Sequence, residues 1–234
     1  MSDLDQPARI YAIGDIHGRL DLLDRVIAAI RRDTEGRDGA AMTVTVGDYV
    51  DRGRQSRQVI ERLEANPFGM PYVALRGNHE SLFESFLIDP AVGEHWRRLG
   101  GLETLASFGV PVRDMMTGHG YEEASKQLEA AMTPEHRRFF ASLRNSFASG
   151  RHFFCHAGVR PGVALDRQSE HDLLWIRDEF LNSPADFGKI VVHGHTPSPE
   201  PEILRNRINI DTGAFATGRL TCVVLEGEGH RLLT

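Results

Sequence analysis

The stretch VTVGDYVDRG, residues 44–53, joins a strand signal to a dense group of polar side chains. Its β-branched start, residues 44–46, is typical of a buried strand. Gly47 then allows the backbone to turn, and three polar residues follow in quick succession: Asp48, Asp51 and Arg52. A carboxylate at the end of a strand can hold a cation, and a nearby guanidinium can bind a phosphate through two parallel hydrogen bonds.

Four further polar clusters also follow hydrophobic runs. They are Gly14-Asp15-Ile16-His17-Gly18, Gly77-Asn78-His79-Glu80, His156-Ala157-Gly158 and His193-Gly194-His195-Thr196. A lone Asp or Asn after a strand is commonly a turn former or a helix cap. Five such clusters in one chain instead indicate a shared site.

The first third of the chain predicts a βαβαβ unit. The predicted strands cover residues 9–13, 42–46 and 72–75, and the predicted helices cover about 20–32 and 56–65. This alternation implies parallel strands with right-handed crossovers. Because open α/β sheets bind ligands at the carboxyl ends of their strands, the polar clusters fall where a site is expected.

Strand patterns disappear over residues 81–148, which predict several helices interrupted by Pro90, Pro111 and Pro134. We interpret this segment as a helical insertion within a single domain, residues 1–234. Further predicted elements are strands at 151–155, 190–192, 207–211 and 220–225, and a helix over about 170–180 that carries Trp175 and Arg177.

Composition limits the classes of function. The chain has 234 residues, of which 41% are hydrophobic and 26% charged, which is typical of a soluble α/β domain. Its net charge of −6 argues against a nucleic-acid partner. No apolar run approaches the roughly 18–20 residues that span a bilayer, and residues 1–10 lack an apolar signal core. We therefore expect a cytoplasmic protein with no membrane partner.

The polar set favours a transition-metal site. Asp, Asn and His ligands suit Mn²⁺, Fe or Zn²⁺ better than Ca²⁺, which prefers oxygen ligands alone. Asp15 and His17 can share one ion, and Asp48 has two oxygens with which to bridge to a second. Asn78, His156 and one histidine of the His193/His195 pair would complete that second site. Two metals about 3.5–4 Å apart can activate a water and clamp a phosphoryl oxygen.

The ordered motifs GDIHG, GDYVDRG, GNHE, HAG and GHTP resemble those of the calcineurin-like metallophosphoesterases. More narrowly, the chain resembles the phosphoprotein phosphatase family, in particular its bacterial and bacteriophage serine/threonine phosphatases. The similarity runs from about residue 10 to residue 229 and includes DLLWIR at 172–177 and IDTGA at 210–214. The resemblance implies an α/β fold with a central β-sandwich flanked by helices and a helical insertion between the third and fourth motifs.

The resemblance also implies roles for individual residues. Two divalent ions, Mn²⁺ in the first instance with Fe or Zn as alternatives, would be held by Asp15, His17, Asp48, Asn78, His156 and His195. His195 is preferred over His193 because the family's ligand follows the glycine of the last motif. Pro197 stands where many wider relatives have another histidine, so the first ion would have fewer protein ligands.

For catalysis, the resemblance implies direct attack by a hydroxide that bridges the two ions, without a phosphoenzyme. His79 would protonate the leaving oxygen and Asp51 would orient its imidazole. Arg52, Arg177 and Asn78 would bind the substrate phosphate.

Three kinds of function remain open. The leading hypothesis is a phosphatase acting on phosphoserine or phosphothreonine proteins or on small phosphoesters. The nearest rival is a dinucleoside-tetraphosphate hydrolase, which shares the scaffold but typically has another residue at the position of Asp51; Pro197 disfavours a cyclic-nucleotide phosphodiesterase. A non-catalytic scaffold would require a missing ligand or acid, and the sequence contains the full set.

Overall fold

Two mixed sheets are present in residues 7–233, the part of the chain that this computed structural model describes. The prediction that residues 1–10 lack a signal core falls mostly on residues 1–6, which lie outside that range. The first sheet contains β1 (Arg9–Ile13), β2 (Ala41–Thr45), β3 (Tyr72–Ala74), β9 (Cys222–Glu226) and β10 (Gly229–Leu232). Its order is β10-β9-β1-β2-β3. The first three strands are parallel, as predicted, and β9 pairs antiparallel with β1.

The second sheet lies against the first. It contains β4 (Ser146–Ser149), β5 (His152–Cys155), β6 (Ile190–His193), β7 (Glu202–Ile203) and β8 (Arg207–Asn209). Its order is β4-β5-β6-β8-β7, with β5, β6 and β8 parallel. The edge strands β4 and β7 run antiparallel to their neighbours.

The helices cover the outer faces of both sheets. Their bounds are α1 Leu20–Thr34, α2 Ser56–Glu64, α3 Asn78–Ile88, α4 Gly93–Trp96, α5 Gly101–Ser107, α6 Arg113–Met116, α7 Tyr121–Ala131, α8 Pro134–Ser142, α9 Glu170–Trp175, α10 Asp178–Leu181 and α11 Ala214–Thr217. Short 3-10 turns occupy Pro90–Val92, Arg97–Leu99 and Leu165–Arg167. Among the described helices, none has the length and apolar character needed to cross a bilayer.

Successive side chains along a strand point to opposite faces of the sheet. Each sheet therefore has one core on the side of the other sheet and a second core beneath its helices. In β1, Ile10 and Ala12 join the core between the sheets, whereas Tyr11 and Ile13 join the core beneath the helices. This is the period of two expected for a strand buried on both faces. In the second sheet, Phe154 points into the inter-sheet core. The predicted β-sandwich flanked by helices is therefore confirmed.

Helices α3 to α8 form the predicted insertion, which contains an aromatic core and packs on α2 through α5 and α8. Phe83 stacks on Phe140 at 4.5 Å and meets Trp96 edge to face at 5.8 Å. The end of the predicted helical segment at residue 148 is wrong, because Ser146–Ser149 form β4. This short edge strand contains no β-branched residue, so the sequence gives it little strand signal.

The helix predicted over residues 170–180 is also wrong in one respect, because it breaks at Ile176 and Arg177. A continuous α-helix would pair the Leu173 carbonyl with the Arg177 amide. Instead, that carbonyl accepts a 2.7 Å hydrogen bond from the amide of Ala157, which follows β5. The tertiary contact replaces the helical one and leaves Arg177 at the start of α10, with φ −131° and ψ −102°.

The inter-sheet core gives a stability prediction. Phe154 is 0% exposed and contacts residues of both sheets, so Phe154→Ala should lower the free energy of unfolding by about 3–5 kcal/mol. Urea unfolding measures this change. Phe147→Ala is the control, because Phe147 is only partly buried against the same cluster and its loss should cost clearly less. Equal losses would contradict the assignment of Phe154 to the centre of the sandwich.

Candidate functional site

The predicted motifs converge where the parallel strands of both sheets end. Asp15 and His17 follow β1, Asp48 follows β2, Asn78 begins the helix after β3, and two histidines follow β5 and β6. Two hydrogen bonds connect residues that follow strands of the first sheet to residues that follow strands of the second sheet. The His195 amide donates to Asp15 Oδ2 at 2.9 Å, and His156 Nδ1 donates to the Val46 carbonyl at 2.9 Å.

One group of donor atoms surrounds a single point on one side of Asp48. Asn78 Oδ1 lies 2.8 Å from His156 Nε2 and 2.9 Å from His195 Nδ1. The two imidazole nitrogens are 3.2 Å apart, and His156 Nε2 is 3.4 Å from Asp48 Oδ1. Four atoms with lone pairs at these distances match the ligand set of a divalent cation.

A second group lies on the other side of the same carboxylate. His17 Nε2 is 3.4 Å from Asp48 Oδ2. Asp15 lies outside the group formed by His17, Asp48 and His79, but its Oδ1 is buried and has no hydrogen-bond partner among the described residues, as expected for an oxygen that faces a cation. His79 Nε2 also approaches Asp48 Oδ2, at 3.8 Å. Asp48 therefore presents one oxygen to each group.

Hydrogen bonds orient two of the histidines toward these points. His17 Nδ1 donates to the Val50 carbonyl at 2.8 Å, as His156 does to Val46, so in both rings the Nε2 lone pair faces the site. Burial lowers the pKa of His17 to about 3 and that of His195 to about 2, and it also lowers the pKa of His156. Neutral imidazoles are the form that binds metals.

The carboxylates need a compensating positive charge. Burial, followed by the charges of Asp211 and Asp48, raises the pKa of Asp15 well above its usual range. Burial would also raise the pKa of Asp48, but the surrounding imidazoles, with His156 foremost, outweigh it and lower the pKa. Grouped buried carboxylates are costly without a cation, so the donor set fits divalent metal ions.

Glu80 fixes the loop that carries Asp48, a function that the sequence analysis missed although it quoted the GNHE motif. Its carboxylate accepts from the amides of Asp48 at 2.8 Å, Tyr49 at 2.7 Å and Gly77 at 2.9 Å. Burial and the charge of Asp48 raise the pKa of Glu80 to about 8. These amide bonds hold the loops after β2 and β3 together.

The site backbone is strained at several points. Of the six non-glycine residues with positive φ among those described, all but Asn66 belong to the motifs: His17 (46°), Asp48 (54°), Asp51 (71°), Arg52 (65°) and His195 (68°). Such conformations cluster where function requires them. Gly77 reflects the same crowding, because a Cβ there would lie 2.1 Å from Asp48 Oδ1.

Asp51 and His79 form a buried pair beside these groups. His79 Nδ1 donates to Asp51 Oδ2 at 2.6 Å, which leaves Nε2 facing the site. Burial alone would lower the pKa of His79, but the carboxylates of Asp48 and Asp51 outweigh it and raise the pKa to about 9. The two carboxylates therefore favour the protonated form of the ring.

Two arginines border the site in different ways. Arg52 Nη2 lies 3.4 Å from His79 Nε2, and its guanidinium sits 4.6 Å from the ring centre of Phe215. A cavity of 440 Å³ opens beside Arg52 and Phe215. A larger cavity of 560 Å³ is lined by none of the site residues; Leu87 and Tyr121 are among its lining residues. Arg177 is exposed, and its charge adds to burial in lowering the pKa of His156 and His195.

Phe215 was missed by the sequence analysis, although it directly follows the quoted IDTGA. Asp211 of that motif caps a turn, because its Oδ1 accepts from the Gly213 amide at 2.8 Å. His193 packs edge to face on Phe180 at 5.0 Å. Trp175 is partly buried, with its ring centre 6.3 Å from that of His195.

Comparisons with known proteins agree with this geometry. The calcineurin-like phosphoesterase family model matches residues 8–220. The chain is 27% identical over 233 residues to the asymmetrical bis(5'-nucleosyl)-tetraphosphatase PrpE of Anoxybacillus flavithermus, covering 90% of this chain and 88% of the relative. It is also 27% identical over 224 residues to serine/threonine-protein phosphatase 2 of Salmonella typhimurium, covering 91% of this chain and 90% of the relative.

A solved structure supports the fold alone. A protein serine/threonine phosphatase from Saccharomyces cerevisiae superposes with a TM-score of 0.54 at 14% identity, covering 98% of this chain and 80% of that one. The family match covers every polar motif described above and all strands except β9 and β10. This match agrees with the grouping of donor atoms on the two sides of Asp48. The chain belongs to the calcineurin-like phosphoesterase family.

Proposed function

We propose that this chain acts, as a single domain, as a dinuclear metal-dependent phosphatase on phosphoserine and phosphothreonine residues of proteins. The observation that carries the proposal is the position of Asp48, which presents Oδ1 to one group of donors and Oδ2 to another. A carboxylate placed in this way suits two neighbouring cations, and paired cations are a recurrent device for phosphoryl transfer.

The metal ligands would divide between the two sides of Asp48. Asp15, His17 and Asp48 would hold the first ion, and Asp48, Asn78, His156 and His195 the second. The mixture of carboxylate, amide and imidazole donors favours Mn²⁺, with Fe or Zn²⁺ as alternatives. When bound, such ions lower the pKa of a coordinated water and polarise a phosphoryl oxygen.

His79 is the group in the site best suited to supply a proton. Its Nδ1–H bond to Asp51 fixes the ring and leaves Nε2 pointing into the site. We assign it the protonation of the leaving oxygen, with Asp51 holding the ring and stabilising its charge.

Arg52, Arg177 and Asn78 would bind the substrate phosphate. Arg52 lies next to His79 and is supported by the face of Phe215, so its guanidinium is positioned by a cation–π contact. Arg177 lies at the start of α10, on the side of His156 and His195. Guanidinium groups on opposite sides of the metal ligands can stabilise the charge of the equatorial phosphoryl oxygens.

The dinucleotide tetraphosphatase activity remains the second candidate, because a relative with that name has the same 27% identity as the named protein phosphatase and covers 90% of the chain, against 91%. The buried Asp51–His79 pair favours the phosphatase. A serine or threonine leaving group is a poor one, so its departure depends on a positioned acid.

A paired turnover assay tests this choice. The protein would be stripped of metal, reloaded with Mn²⁺ and given a phosphothreonine peptide or diadenosine tetraphosphate. We expect phosphate release from the peptide with the higher kcat/KM. Preferential cleavage of the dinucleotide would instead establish the second candidate, and two bound ions without turnover of either would reject both.

Gly77→Ala should reduce metal binding, because the new Cβ would lie 2.1 Å from Asp48 Oδ1 and 2.4 Å from the Asp48 amide nitrogen. We expect fewer than two ions per chain by elemental analysis and at least a roughly tenfold loss of kcat/KM. Gly229→Ala is the matched control, since the nearest atom to its Cβ is 3.5 Å away. Full metal content in the Gly77 variant would contradict the proposed ligand geometry.

His79→Asn separates the acid from the metal ligands. It should retain both ions and lose about 10²–10⁴-fold in kcat on the phosphopeptide. Dinitrophenyl phosphate, whose leaving oxygen needs no proton, should be affected far less. His171→Asn, at an exposed position of α9, should behave as the unmodified chain. Loss of one ion from the His79 variant would identify this histidine as a ligand instead.

A further inference from the structure

We infer that the helical insertion positions Asp51 and Arg52 for catalysis, with Trp96 and Thr104 as positioning residues that act through the Asp51–His79 pair. The inference rests on the proposed function, because it assumes that His79 supplies the proton. The insertion then takes part in the reaction, beyond being the helical segment beside the site that the sequence predicts.

Asp51 is 0% exposed, and two groups from the insertion donate to its carboxylate. Trp96 Nε1 donates to Oδ2 at 2.7 Å, the same oxygen that accepts from His79. Thr104 Oγ1 donates to Oδ1 at 2.6 Å and accepts from the Asp51 amide at 2.8 Å. Both carboxylate oxygens are therefore fixed, and rotation of the carboxylate would break one of these bonds.

The insertion also holds the backbone next to Asp51. Asp51 and Arg52 both have left-handed φ values, 71° and 65°, a conformation that costs energy in residues other than glycine. The Arg52 amide donates to the Gly100 carbonyl at 3.2 Å. Gly100 has a φ of 104°, and a Cβ there would lie 2.4 Å from the Arg52 amide nitrogen. Close contact with the insertion thus supports the strained loop.

The indole of Trp96 is itself locked in place. It is fully buried, meets Phe83 and Phe86 with ring centres 5.8 and 5.0 Å away, and a Cβ at Gly101 would lie 2.5 Å from it. A buried indole N–H requires an acceptor. That acceptor is the carboxylate that orients His79, so the aromatic core of the insertion is connected to the proposed acid by two successive hydrogen bonds.

These contacts define a spaced pattern in the sequence: Trp96, Gly100, Gly101 and Thr104. Trp96 and Thr104 contact Asp51. Gly100 contacts Arg52, and Gly101 contacts Trp96. The pattern is separate from the five polar motifs, and it lies on α4, the turn after it, and α5. A hydrogen bond to a charged group that sets the orientation of an acid should affect the rate more than it affects substrate binding.

Leaving-group dependence tests the inference. Trp96→Phe keeps the aromatic ring in the core but removes the N–H. In the Mn²⁺-loaded protein it should lower kcat on phenyl phosphate about tenfold or more, with KM nearly unchanged. Dinitrophenyl phosphate should be hydrolysed at close to the original rate. Thr104→Val should act in the same direction, and Thr104→Ser, which restores the hydroxyl, should recover most of the loss.

Two controls separate positioning from general destabilisation. Phe86→Leu loosens the same aromatic cluster without removing a donor to Asp51, so it should change both substrates equally. In a His79→Asn background, Trp96→Phe should produce no further loss on phenyl phosphate. Equal losses on both substrates for Trp96→Phe, or an additive loss in the His79→Asn background, would overturn the inference. Full activity of His79→Asn itself would instead reject the acid in the proposed function.

Discussion

The structure depends on one buried carboxylate placed between two sets of lone pairs. Asp48 has a left-handed backbone, one oxygen toward His156 and the other toward His17. Its amide and that of Tyr49 are held by Glu80, itself a buried acid. Such concentrated negative charge is unfavourable in a protein interior without cations. The close glycine contacts and the strained loops serve to keep these groups together.

Much of this arrangement could be predicted from sequence. Parallel strands that end in polar clusters must bring those clusters to one edge, so the convergence of Asp15, Asp48 and Asn78 follows from local pattern and sheet topology. The continuous apolar run of residues 10–13 also indicates a strand that is buried on both faces. These predictions rest on short stretches of chain, each of which carries its own signal.

Other features depend on contacts between distant segments and could not be predicted in this way. The break before α10 results from the Leu173 carbonyl pairing with the Ala157 amide, and no residue within the helix indicates it. Trp96 packs as an ordinary core residue, so its sequence pattern indicates nothing more. Its second role comes only from the hydrogen bond between its Nε1 and Asp51. Edge strands β4 and β7 lack β-branched runs, so their formation relies on neighbours already in place.

The pairing of β1 with β9 affects the order in which the site can form. Residues 9–13 pair with residues 222–226, and the contact between Asp15 and His195 spans 180 positions. Contacts of such sequence separation close late, because the entropy of a long loop is lost before they contribute stability. A chain emerging from the ribosome can present its GDIHG and GDYVDRG motifs early, but it cannot assemble the full donor set until its last third has been synthesised. The donor atoms around Asp48 can therefore come together only after residue 195 has been synthesised.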